Sequence, residues 1–368
     1  MENAFRRIGV TDEQVLQRID EVFRLIFEDP EQGFYHEVGD DAGCLEDTGN
    51  HDARTEGISY GMMMAVQRNR KDLFDRLWRF ARRYMYLSDG SMAGYFAWST
   101  GLDGKHNAEG PAPDGEEYFA MALLLAADRW GCGEGVLDYG AEARAILRHM
   151  VHQPELTGGK PMMNRENHLI LFVPGSPFTD PSYHLPHFYE RFALQADEED
   201  RPFWKEVAEA SRRYIARSAH PVTGMSAEYA EFDGSPRLLF GKPYAYYSDA
   251  YRVAENIALD ACWCGRRPEL SAVAERLQAF FHEIPQESFM AYDLDGTPHA
   301  EPAMHPVAMT AVLAAATLAC DGPWGDDWLR RFWETPPRTG SRRYYDNCLY
   351  FFCLLMLAGE YRNDFQGG

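Results

Sequence analysis

Helices with no polar face alternate along this chain with helices that have one, and that alternation limits its fold more than any other feature of the sequence. Tyr118-Phe119-Ala120-Met121-Ala122-Leu123-Leu124-Leu125 and Tyr350-Phe351-Phe352-Cys353-Leu354-Leu355-Met356-Leu357 are apolar nearly all round. Lys71 to Tyr84 and Asp200 to Arg217 are amphipathic and charged. A helix apolar on every side must be covered on every side, and an amphipathic one covers it with one face. The first helix opens on a capping box, Thr11-x-x-Gln14, and carries Val15, Ile19, Val22, Phe23 and Ile26 at helical spacing. Periodicity predicts eleven more, at about 56–69, 71–87, 116–130, 138–152, 181–196, 202–218, 248–264, 269–283, 305–319, 323–334 and 344–358. Even-numbered helices are then inner and odd-numbered ones outer. Links into the even helices are mostly long (about 29–55, 88–115, 153–180, 219–247 and 284–304), and links out of them are short. Six inner and six outer helices describe an all-α fold, an (α/α)6 barrel, with the long loops on one face, where binding groups belong. Gly94 to Trp98 and His168 to Val173 read as small β-hairpin excursions from it.

The chain has 368 residues without a linker, low-complexity tract or shift in composition, so a single domain over 1–368 is expected. Its formal charge of -21 excludes nucleic acid and anionic membrane as partners, which both require basic patches. No apolar run approaches the roughly 18 residues of a membrane span. The start, Met1-Glu2-Asn3-Ala4-Phe5-Arg6-Arg7, lacks the apolar core of a signal peptide. The seven cysteines are odd in number and lie mostly in apolar helical text, which points to reduced thiols and a cytoplasmic location. Cys262-x-Cys264 has the wrong spacing for a zinc knuckle. Aromatic residues make up 14%, with 8 Trp and 20 Tyr, a supply suited to stacking on sugar rings, although aromatic residues more often fill cores.

Polar residues gather where the inner helices begin. Glu56 enters the second helix, Asp114 with Glu116 and Glu117 the fourth, and Asp180-Pro181-Ser182-Tyr183-His184-Leu185-Pro186-His187 the sixth. Tyr247-Ser248-Asp249-Ala250-Tyr251-Arg252 opens the eighth, Met304-His305-Pro306 the tenth, and Arg342-Arg343-Tyr344-Tyr345-Asp346 the twelfth. Singly, Asp114, Asp180 and Asp249 read as N-caps and Glu56 as an acid answering a helix dipole. Together, with Tyr, His, Arg and Trp beside them, they read as carboxylates converging on one mouth. Met62-Met63-Met64 reads as inner-helix core. His184 and His187, three apart, lack a third ligand nearby and make no metal site. A mouth of carboxylates and aromatics suits glycoside hydrolysis, in which one carboxylic acid protonates the leaving oxygen and a second carboxylate acts as base or nucleophile. Trp98 and the tyrosines would stack on the sugars.

Four segments resemble glycoside hydrolase family 8: Asp52-x-Arg54-Thr55-Glu56-Gly57-x-Ser59-Tyr60-Gly61-Met62, Pro111-Ala112-Pro113-Asp114-Gly115-Glu116-Glu117-Tyr118, Ser248-Asp249-x-Tyr251-Arg252 and Arg342-Arg343-Tyr344-Tyr345-Asp346-Asn347. The resemblance covers essentially the whole length and is nearest to those members that release xylose from the reducing end of xylo-oligosaccharides. It implies the same barrel, a xylo-oligosaccharide partner, no cofactor, and hydrolysis of β-1,4 linkages with inversion. By it Glu56 is the general acid, Asp249 the base that activates water, and Asp114 a binding and distorting contact at the sugar whose bond is cleaved. Inversion requires acid and base carboxyls about 6.5–9.5 Å apart, and burial or a neighbouring carboxylate is expected to raise the pKa of Glu56. Met304-His305-Pro306 stands where the family has Leu-His-Pro, which makes His305 the wall that recognises the reducing-end sugar, with Tyr183 or His184. Arg252 and Tyr345 belong to matching motifs and are expected to bind substrate. Two other classes remain open: an endo-acting relative on xylan, cellulose or chitosan, and a sugar epimerase or non-catalytic sugar-binding barrel. An epimerase would need His184 and His187 as acid and base.

Overall fold

The computed structural model describes residues 2–365. Its helices are α1 (Asp12–Phe27), α2 (Thr55–Gln67), α3 (Lys71–Phe80), α4 (Pro113–Trp130), α5 (Tyr139–Thr157), α6 (Pro186–Gln195), α7 (Arg201–Ser218), α8 (Arg252–Cys264), α9 (Pro268–His282), α10 (Pro306–Ala315), α11 (Gly325–Glu334) and α12 (Arg343–Ala358). All twelve expected helices form. Their ends differ where local chemistry overrides periodicity. Leu185 precedes a proline, which disfavours helical ψ there, and His184 is extended (ψ 106°), so the expected helix at 181–196 divides into a 3-10 turn (Pro181–Tyr183) and α6, with Pro186 opening it. Pro113 likewise starts α4 three residues early. α3 stops at Phe80 and a π-helical turn, Ala81–Met85, completes it. α5 runs on to Thr157, distorted at His152 next to the Pro154 that lacks an N–H.

Contacts between Cα atoms group the chain into two compact units. One comprises Ile26–Ser176, Phe188–Ala208 and Arg362–Gly368 and holds Glu56; the other comprises Met1–Leu25, Pro177–His187 and Glu209–Tyr361 and holds Asp249.

In the Glu56 unit a four-stranded antiparallel sheet lies in the stretch expected to be loop. Its strands β1 (Tyr35–Val38), β2 (Ala42–Asp47), β3 (Asp52–Arg54) and β4 (Ser99–Thr100) pair in sequence order. The hairpin expected at Gly94 to Trp98 reduces to a single bridge between Phe96 and Tyr86. The one expected at His168 to Val173 forms, as β6 (Leu169–Ile170) against β5 (Met163–Asn164). Every residue of α2 except Glu56 is buried, Met62, Met63 and Met64 included. α3 lays Leu73, Phe74, Leu77 and Trp78 on it and turns Lys71 and Asp72 outward. Each such side chain, fully buried, stabilises the fold by about 1.5–3 kcal/mol.

In the Asp249 unit α8, α10 and α12 are the apolar helices. Val307 to Ala315 and Tyr344 to Ala358 are buried without a break. α9 and α11 cover them with one face each, Leu270, Val273, Leu277 and Phe281 from the first and Trp328, Leu329 and Phe332 from the second. A two-stranded ribbon, β7 (Met290–Tyr292) and β8 (Pro298–Pro302), precedes α10. Among the described residues no helix is long and apolar enough to cross a membrane, and none of the seven cysteines is in a disulfide.

Candidate active site

Glu56 sits where a strand becomes a helix without an intervening loop. Arg54, the last residue of β3, is extended (φ -115°, ψ 148°) and Thr55 is already helical. The junction is fixed from both sides. Ala53 and Arg54 pair with Thr100 and Ser99 of β4, and the Thr55 N–H donates to Trp98 O at 2.9 Å. Asp47 and Asp52 hold the Arg54 guanidinium at 3.3 and 3.0 Å, and Asp52 also accepts from Ser99 Oγ at 2.7 Å. Arg54 lies over the Trp98 ring, 5.3 Å from its centroid, and Trp98 keeps 38% of its surface exposed. Glu56 is half-buried in the first turn of α2.

The first turn of α4 comes against the same junction. A Cβ on Gly115 would lie 2.4 Å from Thr55 Oγ1, so only glycine lets the two helix starts approach this closely. Asp114 precedes it, buried, with Oδ1 accepting from the Gly115 N–H at 3.0 Å. Glu116 is fully buried and accepts from the Phe96 N–H at 3.0 Å, which ties down the strand leading to Trp98. Its Oε2 has no hydrogen-bond partner. Burial pushes its carboxyl well above the usual range; the Phe96 N–H opposes this, and Asp114 adds to it. Glu117 accepts from Tyr189 Oη.

In the other unit, Asp249 lies on a 3-10 turn, Ser248–Tyr251, that leads directly into α8. Ser248 has φ +33°, an uncommon backbone state for a residue with a side chain. The Asp249 side chain is 30% exposed, with Arg252 Nη2 at 3.8 Å from Oδ1. Arg252 is buried. It donates to Ser182 Oγ at 2.9 Å and lies 5.5 Å from the Tyr183 ring centroid. Asn256, one turn further along α8, donates to Ser182 O at 2.8 Å. Asp249, Arg252 and Tyr183 are thus brought into one cluster.

Two acids complete the cluster. Asp180 is fully buried, with Oδ1 accepting from the Ser182 N–H at 2.7 Å and Oδ2 unpartnered. Burial pushes it well above the carboxylate range, Arg252 pulls it back and Asp249 adds to the rise. Glu228 is buried against Lys242 Nζ, which lies 2.7 and 2.8 Å from its oxygens. Burial, with the charge of Asp249, still lifts Glu228 to about 7. Of the two, only Asp180 was legible, as one of the carboxylates at the inner-helix entries. Glu228 stands alone between Ala227 and Tyr229; a carboxylate flanked by small apolar and aromatic residues is the only signal it carries.

His305 stands at the N-cap of α10, before Pro306, and is buried. Its Nδ1 is 2.9 Å from Asp346 Oδ2, and its ring packs on Tyr345 with centroids 4.5 Å apart. The residues against it are thus Tyr345 and Asp346 from the entry of α12, and not His184, which was expected beside it.

His184 is not available to a sugar. It is fully buried, with Nδ1 2.9 Å from Ser211 Oγ, Nε2 3.1 Å from Thr179 Oγ1 and its ring stacked on Tyr214. Burial holds its pKa down at about 3. His187 is buried against Trp263 and held well below the usual histidine range for the same reason. Two neutral, enclosed imidazoles cannot exchange protons with a substrate, which removes the pair an epimerase would need. No group of metal-ligating side chains occurs among the described residues.

The family model described as Glycosyl hydrolases family 8 matches residues 38–359. The reducing-end xylose-releasing exo-oligoxylanase Rex8A of Paenibacillus barcinonensis is 51% identical over 363 residues, 98% of this chain and 96% of its own. A reducing end xylose-releasing exo-oligoxylanase of Halalkalibacterium halodurans is 50% identical over 369 residues, 100% of this chain and 95% of its own. Among solved structures, a variant of Rex8A complexed with an arabinofuranosyl-xylotetraose superposes with a TM-score of 0.97 at 50% identity, over 100% of this chain and 97% of that one. The fold class is that of these structures, the all-α (α/α)6 barrel expected from the alternation of helices.

Proposed function

We propose, from the premise that this chain belongs to glycosyl hydrolase family 8, that it hydrolyses β-1,4-linked xylo-oligosaccharides with inversion and releases xylose from their reducing end. The observation that carries this is half-identity across the full length to enzymes named for that reaction. The site chemistry supports it.

Glu56 is the proton donor to the leaving oxygen and Asp249 the base that takes a proton from the attacking water. A helix N-terminus alone favours ionised glutamate, so the acid form needs a negative neighbour. Asp114, in the adjoining first turn, is the group that supplies it. Asp114 also takes sugar hydroxyls at the ring being cleaved, and Trp98 offers a stacking face at the same helix entry. Arg252, held by Ser182, orients the Asp249 carboxylate, and Tyr183 packs on its guanidinium. His305 and Tyr345 close the site beyond the sugar that leaves. The whole chain works as one catalytic domain, and its cysteines, none in a disulfide, suit action in the cytoplasm on short oligosaccharides.

The test is digestion of xylotriose followed by proton NMR. Xylose should appear with a xylobiose whose new reducing end is first α, and both Glu56→Ala and Asp249→Asn should lower kcat by about 10³-fold or more. Internal fragments from end-labelled xylohexaose, or a first-formed β anomer, would overturn the proposal.

A further inference from the structure

The segment from Thr179 to His184 is tied at both ends, and the side chains that meet Arg252 stand in its middle. Thr179 exchanges backbone hydrogen bonds with Ala230, each 3.0 Å long. His184 closes the other end, its imidazole held by Ser211 Oγ and Thr179 Oγ1 at 2.9 and 3.1 Å. Between them Asp180 caps the 3-10 turn Pro181–Tyr183: Oδ1 accepts from the Ser182 N–H at 2.7 Å, and its carbonyl accepts from the Tyr183 N–H at 3.0 Å. A single 3-10 turn has few hydrogen bonds of its own, so a capping oxygen weighs heavily in its geometry.

That turn meets α8 through Ser182 and Tyr183. Ser182 Oγ accepts from Arg252 Nη2 at 2.9 Å, Ser182 O accepts from Asn256 Nδ2 at 2.8 Å, and the Tyr183 ring centroid lies 5.5 Å from the guanidinium carbon. The same Nη2 is 3.8 Å from Asp249 Oδ1. Ser182 therefore fixes the nitrogen that faces Asp249, and Asp180 fixes Ser182.

Asp180 is fully buried, and its Oδ2 has no hydrogen-bond partner among the described residues. Burial raises its carboxyl well above the usual range, Arg252 opposes the rise and Asp249 adds to it. An uncharged carboxyl still accepts at Oδ1, so the cap survives, and the charge of Arg252 is left to Asp249.

We propose that Asp180 is a positioning residue for the base: by capping the turn that presents Ser182, it aims the Arg252 guanidinium at Asp249, and it acts through its capping oxygen rather than through a negative charge. The proposal rests on the reading of Asp249 as the base and names what holds the group that orients it.

The experiment follows kcat and KM on xylotriose in variants at 180, alone and combined with Arg252→Lys. Asp180→Ala removes the cap and should lower kcat by about 10- to 100-fold with KM within about 2-fold, the signature of a misaimed base. Asp180→Asn keeps an accepting oxygen without the acid and should restore kcat to within about 3-fold of wild type. If Asp180→Asn loses as much as Asp180→Ala, the acid and not the cap is what matters, and the inference is overturned. With Arg252→Lys already present, Asp180→Ala should lower kcat by less than about 3-fold more, because the aimed fork is gone. A full multiplicative loss there would show that Asp180 is merely structural. Should Asp180→Ala fail to fold, Ser182→Ala decides the matter, since it leaves the cap and the Asn256 contact in place and removes only the oxygen that Arg252 holds. It should lower kcat by about 10-fold with the melting temperature nearly unchanged, and an unchanged kcat would overturn the inference. If Asp249→Asn keeps its activity, the reading of Asp249 fails and the inference with it. If Asp249→Asn is inactive while Asp180→Ala keeps wild-type kcat, only the role of Asp180 fails.

Discussion

The two proposed catalytic carboxylates are seated by different physics. Glu56 is held by shape: a strand that becomes a helix at Thr55, a backbone hydrogen bond to Trp98, and a glycine that lets the start of α4 close on the junction. Asp249 is held among charges: Arg252 at 3.8 Å, with Asp180, Glu228 and Lys242 around it on a turn whose Ser248 has a positive φ. A steric seat fails when volume is added. An electrostatic seat fails when a charge is moved or titrated.

The largest effect expected from this contrast is at Gly115. Adding one methyl group, Gly115→Ala, forces Thr55 away and should cost about 1–3 kcal/mol of stability as overpacking. The shift of Glu56 should lower kcat by about 100-fold, with KM little changed. Thermal melts and steady-state kinetics on xylotriose check both, and a fully active Gly115→Ala enzyme would show that shape does not hold the acid. On the other side, Arg252→Lys keeps the charge and loses the planar guanidinium whose Nη2 reaches both Ser182 and Asp249. Activity should fall about 10-fold with the melting temperature nearly unchanged; an unchanged kcat would mean that charge without geometry suffices there.

The smallest effect concerns pH. Glu228 is raised from 4.5 to about 7, and Glu255, buried on α8, to about 8. An acid whose folded pKa is raised binds protons more tightly folded than unfolded. Its stabilising effect is complete below about 4.5 and is lost as pH rises through about 7. Glu228→Gln should therefore flatten the fall in stability across that window, by on the order of 1 kcal/mol in urea melts. No such flattening would show that Lys242 keeps Glu228 ionised throughout, which would sharpen the picture of a seat made of paired charges.

What was legible followed from patterns short enough to read along the chain. Apolar runs such as Leu349 to Leu357 locate inner helices because nothing but burial accommodates them. Pro306 opens α10 within one residue of the expected start, whereas Pro113 and Pro186, which also lack the N–H that a first turn leaves unused, open helices whose starts periodicity misplaced. The sheet that begins the Glu56 seat was missed. β3 and β4 have three and two residues, and β2, Ala-Gly-Cys-Leu-Glu-Asp, is buried on both faces and shows no alternation. His184 was misjudged as a substrate contact because its enclosing partner, Ser211, lies 27 residues away.

By itself the sequence determined that this is an all-α chain of alternating inner and outer helices, which residues stand at the helix entries, and which family those entries resemble. These are local facts, written in periodicity and in motifs a few residues long. Only the tertiary structure decided which of the entry residues are enclosed and which retain exposed surface. It buried His184, set Arg252 beside Asp249, lifted Glu228 toward neutrality and turned His305 against an acid 41 residues away. Burial and hydrogen-bond direction depend on neighbours distant in the chain, and the chemistry of a carboxylate or an imidazole depends on both.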